Sequence, residues 1–188
     1  SNPTSVAARQ TLISSAQALV SSFQTMDARL TEVRQGVEGQ ISTTVDQINM
    51  YAGAIAEMNN RIMQANIGGG HVPNDLLDQR EMLIAGLNEL VKVNAVTDAN
   101  GAVSIFIGTG QSLVVGTQTT TLAAVPDPND PQRNTLALMS QNGVANLLPE
   151  KLITGGSLGG LIAFRNESLD PAQNQLGLIA LGIAETFN

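Results

Sequence analysis

From Leu12 to Asn66 the chain runs without a proline, and its apolar residues recur at alternating steps of four and three. The seam reads Leu19, Phe23, Met26, Leu30, Val33, Val37, Ile41, Val45, Ile48, Ala52, Ile55. A 4-3 rhythm keeps one narrow stripe of a helix turned toward a partner helix, as in coiled coils. Between Val33 and Val45 the steps become 4-4-4, a stutter that locally unwinds a supercoil. Gly36 and Gly39 sit inside it, each costing about 1 kcal/mol relative to alanine in a helix interior. A bend or soft spot is expected there, with faster amide exchange across Val37 to Thr44 than in the flanking turns. A continuous helix over this run is roughly 80 Å long at about 1.5 Å per residue, so a rod is expected. A stripe this narrow does not stabilise a helix alone, and partner helices are required.

Two segments supply them. After a glycine-rich break at Ile67 to His71, Pro73 and Asn74 open a shorter helix with Leu76, Leu77, Arg80, Leu83, Ile84, Leu87, Leu90 and Val91 on one side. A third helix begins near Leu158, on a seam of Leu158, Ile162, Arg165, Leu169, Ala172, Leu176, Ile179 and Ile183. Its periodicity is still running at Phe187 without a capping glycine or proline. Continuation beyond Asn188 is therefore expected, and the Ser-Asn opening reads as a cloning scar.

The stretch between the second and third helices changes period. Val93 to Thr97 and Ala102 to Ile107 flank Asn100-Gly101, a strong hairpin signal. Ser112 to Val115 and Thr119 to Leu122 read as further strands around Gly116, and Asn142-Gly143 as the turn of a second hairpin. Pro126, Pro128 and Pro131 make 126–131 a loop, because prolines at such spacing forbid regular pairing. The expected class is α+β: an elongated bundle of long coiled-coil-like helices with a small β-rich segment inserted between helices. Its divisions are 1–92 (long and shorter helix), 93–153 (β-rich) and 154–188 (returning helix).

Composition narrows the function. Aromatic residues are 3% of the chain, too few for the ring-lined pockets and base-stacking platforms that ligands and nucleic acids use. Net charge is −7, with two lysines (Lys92, Lys151) and scattered arginines, so no basic stripe faces phosphates or anionic membranes. No apolar run reaches the ~18 residues of a membrane span, and Ser1 to Arg9 has no secretory-signal pattern. Cysteine is absent, excluding thiolate metal sites and thiol nucleophiles.

Catalytic motifs are equally thin. Gly155 to Gly159 fits G-x-S-x-G, but hydrolases with that motif place the histidine after the serine. The single histidine, His71, lies far upstream, and Ser157 reads instead as a cap of the last helix. Gly108 to Ser112 lacks the lysine of a phosphate loop and reads as a hairpin turn. Asp75, Asp78 and Glu81 stand in the first turns of a helix, where they complement its dipole. The expectation is a non-enzyme with no cofactor and no metal, whose working residues are the packing seam itself.

Six runs in order resemble one family. They are Ala8 to Ile13, Val45 to Asn49, Asp75 to Arg80, Gly101 to Gly116, Gly156 to Leu161 with Phe164-Arg165, and Ala184 to Asn188. They look like the bacterial flagellar hook-filament junction proteins, hook-associated protein one (FlgK), and together span nearly the whole chain. The resemblance implies a structural subunit exported by the flagellar type III apparatus to the extracellular flagellum. Its implied partners are copies of itself in a ring, the hook protein and the second junction protein. It also implies that terminal polymerisation segments lie outside this chain, which is then expected to be monomeric. Flagellin, the second junction protein and a secreted coiled-coil adhesin or translocator tip are the alternative readings.

Overall fold

The computed structural model describes residues 6–67, 74–140 and 142–187 of the chain. The proline-free run folds as one unbroken helix, α1 (Val6–Ile67), which starts ahead of Leu12. Ile67, the expected start of the glycine-rich break, is still the last residue of α1; the rest of the break, with His71 and Pro73, lies outside the described residues. Helix α2 (Asn74–Leu90) follows, with Asp75 in its first turn where a carboxylate offsets the dipole.

The β-rich stretch forms two antiparallel sheets. The first has four strands in the order β1 (Val93–Thr97), β2 (Val103–Ile107), β3 (Gln111–Val115) and β4 (Gln118–Thr119). The second has three, β5 (Thr121–Pro126), β6 (Asn134–Met139) and β7 (Ala145–Leu148). Both Asn-Gly dipeptides turn hairpins: Thr97 pairs with Val103 across the first, and Met139 with Ala145 across the second. Gly108 to Gly110 turns the chain between β2 and β3, as its glycines suggest.

The run read as a single strand over Thr119 to Leu122 is divided between the sheets. Its first residue ends β4, Leu122 belongs to β5, and Thr120 between them gives its N–H to the Leu113 carbonyl. A row of β-branched residues suits either sheet, so its composition carries no mark of the crossing. The proline-rich segment connects β5 to β6, with Pro126 still paired to Asn134.

After a short 3-10 turn (Glu150–Leu152) the chain returns to helix as α3 (Gly156–Phe164) and α4 (Asp170–Phe187). A π-helical turn, Arg165–Leu169, separates them, so the returning segment is not one regular helix. The Asp170 N–H donates to the Arg165 carbonyl, five residues back instead of four. Pro171 supplies the reason. It has no N–H, and its ring crowds the carbonyl four residues earlier, so a regular α-ladder cannot pass it.

The chain forms two compact units: Ser1–Val37 with Phe164–Asn188, and Glu38–Ala163. Helix α1 is divided between them at Val37/Glu38, inside the stutter and between Gly36 and Gly39. The core of the second unit gathers Ile41, Ile48, Ile55 and Ile62 of α1 with Leu87 of α2. Against these lie Ile105 and Leu113 of the first sheet and Leu122 and Leu136 of the second. Each such aliphatic side chain contributes about 1.5–3 kcal/mol on burial.

Candidate helix-packing site

In the second unit the seam is closed. Ile41, Val45, Ile48 and Ile55 are buried, as are Leu87 on α2 and Leu158 and Ile162 on α3. Leu76, Leu83 and Leu90 are half-buried. In the first unit the seam stands open. Val37 and Leu169 are buried and Phe23, Leu30, Leu176 and Ile183 half-buried, but Leu19, Met26, Val33 and Ile179 are exposed. An apolar hollow of about 480 Å³ opens there, lined by Leu19, Val20, Phe23 and Ile183 among others. Arg34 fixes the register of α1 on α4 in this unit. Its Nη2 donates to Asp170 Oδ1 at 2.7 Å and its Nε to Gln173 Oε1 at 2.8 Å.

Apolar periodicity does not reveal how α1 carries the sheets. Three polar side chains, Glu38, Asn49 and Asn59, stand about three helical turns apart, and each bonds strand backbone. Asn134 N–H donates to Glu38 Oε2 at 2.9 Å. Asn49 pairs twice with Leu122: its Nδ2 donates to the Leu122 carbonyl at 2.7 Å, and Oδ1 accepts the Leu122 N–H at 2.9 Å. Strand β5 is an edge of its sheet, so this amide occupies positions that a further strand would take and blunts the edge.

Asn59 does more. It keeps the phase of the seam, four residues after Ile55 and three before Ile62, and is 0% exposed. Its Nδ2 donates to the carbonyls of Val103 (2.8 Å) and Gly116 (2.7 Å). Its Oδ1 accepts from Val103 N–H (3.0 Å) and from Arg80 Nη1 (3.2 Å). Both donors and both lone pairs are used, as a buried amide requires. Arg80 Nη1 also donates to the Gly101 carbonyl at 2.7 Å. Burial lowers the guanidinium pKa from its ordinary value, although arginine stays charged. A single asparagine at a core position of a helical seam is a known device for fixing register. Here the register it sets is that of helix on sheet.

Asn49→Ala will strip both partners from Leu122 and lower stability by about 1–2 kcal/mol in urea unfolding. An unchanged midpoint would mean that water serves that edge equally well.

All 188 residues match the family model of the flagellar hook-associated protein FlgK helical domain. The chain belongs to this family. The FlgK relatives include flagellar hook-associated protein 1 of Escherichia coli, 42% identical over 189 residues, covering 100% of this chain and 35% of that protein. The Salmonella typhimurium protein of the same name is 42% identical over 189 residues and covered to 34%. The flagellar hook junction protein FlgK from Burkholderia pseudomallei has the same fold, with a TM-score of 0.85 at 42% identity. That match covers 92% of this chain and 31% of the Burkholderia chain. This FlgK helical domain therefore spans about a third of the length of its curated relatives.

The chemical lookalikes find their places in the FlgK fold. Ser157 lies within the first turn of α3, which begins at Gly156, and so does not cap it from outside. His71 lies outside the described residues. Among the described residues no three of His, Cys, Asp and Glu converge as a metal site, and no helix is long and apolar enough to cross a membrane.

Proposed function

We propose that this FlgK helical domain serves in a structural, non-enzymatic subunit at the junction of flagellar hook and filament. The observation that carries the reading is the match of all 188 residues to the FlgK helical domain. The split seam supports it. Seam positions of α1 are buried in the second unit, whereas Leu19 and Ile179 stand open in the first, and off the seam Leu178 and Leu181 of α4 are 69% and 58% exposed. Residues 176–184 of α4 are all aliphatic or glycine, and a helix apolar around its circumference normally lies covered. In the assembly the covering surfaces are further copies of the protein in a ring, with hook protein and the second junction protein at the ends. The helical segments 1–92 and 154–188 carry these contacts and transmit load, and 93–153 stiffens the α1–α2 pair. The protein leaves the cell by the flagellar export route and works outside it.

The test is genetic. Deleting the full-length gene should leave hooks that fail to grow filaments, and re-expression should restore them. Normal filaments on the deletion strain would refute the proposal.

A further inference from the structure

Two hairpins of the second unit carry one dipeptide in one turn. Asp98 to Ala102 joins β1 to β2 around Asn100-Gly101, and Ser140 to Val144 joins β6 to β7 around Asn142-Gly143. In each, the first N–H donates to the fifth carbonyl: Asp98 to Ala102 at 2.7 Å, Ser140 to Val144 at 2.9 Å. In each, the glycine N–H donates to the first carbonyl at 2.9 Å, and the glycine φ is positive, 84° and 75°.

The clamps around the two asparagines differ. Asn100 Oδ1 accepts the Ala102 N–H at 3.1 Å. Its backbone is held as well, by Asn66 Nδ2 on the Asn100 carbonyl (3.4 Å) and by Arg80 Nη1 on the Gly101 carbonyl (2.7 Å). In the second hairpin the counterpart of that N–H, on Val144, goes to Ser140 Oγ at 3.2 Å. The donor that fixes Asn100 is thus diverted from Asn142. Asn142 and Gly143 are both exposed.

We infer that Asn142 is a site of spontaneous deamidation, whereas Asn100, in the same dipeptide and the same turn, is protected. The Gly143 peptide nitrogen, having lost its proton to hydroxide, attacks Asn142 Cγ. The N–Cγ bond forms, the Cγ–Nδ2 bond breaks, and the amide nitrogen leaves as ammonia after taking a proton from water. One water then opens the cyclic imide at either carbonyl, giving aspartate or isoaspartate. Water enters, ammonia leaves, and nothing is oxidised or reduced. Glycine favours the attack because no side chain shields its nitrogen. The reaction also requires the asparagine side chain to rotate Cγ onto that nitrogen. For Asn100 this breaks the bond to Ala102, and for Asn142 no such bond to Val144 resists it. Releasing the glycine N–H from its turn carbonyl is common to both sites and cancels in the comparison. The product places a new carboxylate at the tip of the β6–β7 hairpin, and the isoaspartate form adds a methylene to the backbone there.

The test is peptide-resolved mass spectrometry of the full-length protein, incubated folded at mildly alkaline pH, with isoaspartate detected by enzymatic carboxyl methylation. Asn142 is expected to convert roughly tenfold faster than Asn100, equivalent to about 1.4 kcal/mol in barrier height. In urea-unfolded protein the two rates should converge. Ser140→Ala, which returns the Val144 N–H to Asn142, should slow Asn142 several-fold while leaving Asn100 unchanged. Equal rates in the folded protein, a ratio that survives unfolding, or an unslowed Ser140→Ala protein would each overturn the inference. None of these outcomes depends on where the protein assembles.

Discussion

Replacing Gly156 with alanine will destabilise the second unit by about 3 kcal/mol or more, combining a backbone penalty with overpacking. Gly156 opens α3 at φ +63°, a left-handed conformation that costs a residue with a β-carbon about 1–2 kcal/mol. An ideal β-carbon there would also lie 2.5 Å from the Leu90 carbonyl carbon and 2.6 Å from both Leu90 O and Val91 N. These are backbone atoms where α2 gives way to β1, and unlike a side-chain tip they cannot rotate aside. Relieving the clash means parting α3 from the end of α2, and overpacking of that kind costs about 1–3 kcal/mol. The measurement is denaturant unfolding, with a lowered midpoint at unchanged slope. Gly160→Ala is the control. Gly160 lies on the same helix with open space around it, so alanine should raise stability by up to about 1 kcal/mol. Equal midpoints for the two variants would show that the helix start does not press on α2.

Asn59→Ala will cost about 3–5 kcal/mol, because four hydrogen bonds disappear at a fully buried position and each stranded group carries a desolvation penalty. The Val103 N–H and carbonyl, the Gly116 carbonyl and the buried Arg80 guanidinium all lose a partner. A sharper variant is Asn59→Leu, which completes the aliphatic rhythm between Ile55 and Ile62 and favours helix more than asparagine does. If burial of apolar surface were the only requirement, leucine would stabilise the domain. The expected result is the reverse: Asn59→Leu will be no more stable than Asn59→Ala. Asn59→Asp should fall between wild type and alanine. It keeps an acceptor for Val103 N–H and Arg80 but turns bare oxygen toward two carbonyls. A leucine variant as stable as wild type would dispose of the polar node as a structural requirement.

Sequence reading succeeded where structure is set locally and stopped where it is set by contacts far apart in the chain. The 4-3 spacing exposed α1 because helical periodicity is local, repeated many times and free of proline. Both Asn-Gly hairpins were legible because the turn itself demands a glycine with positive φ. Asn59 escaped because a search for apolar residues passes over a polar one in the right phase. Its acceptors, moreover, are backbone atoms 44 and 57 residues away. Pro171 interrupts the returning helix yet escaped notice, since it stands beside the apolar stripe and leaves the spacing intact. Leu19 and Ile48 look alike in the seam, although one is 39% exposed and the other 0%. Periodicity tells which way a side chain turns, but not whether anything meets it.

Glu38, Asn49 and Asn59 have one trait in common: each grips main-chain N–H or C=O groups of the strands. Such anchoring is blind to the identity of the residues it holds. Outward-facing strand positions such as Val96, Val115 and Leu147 are thereby free to drift, or to be re-engineered as a contact surface, while the sheets keep their seat on α1.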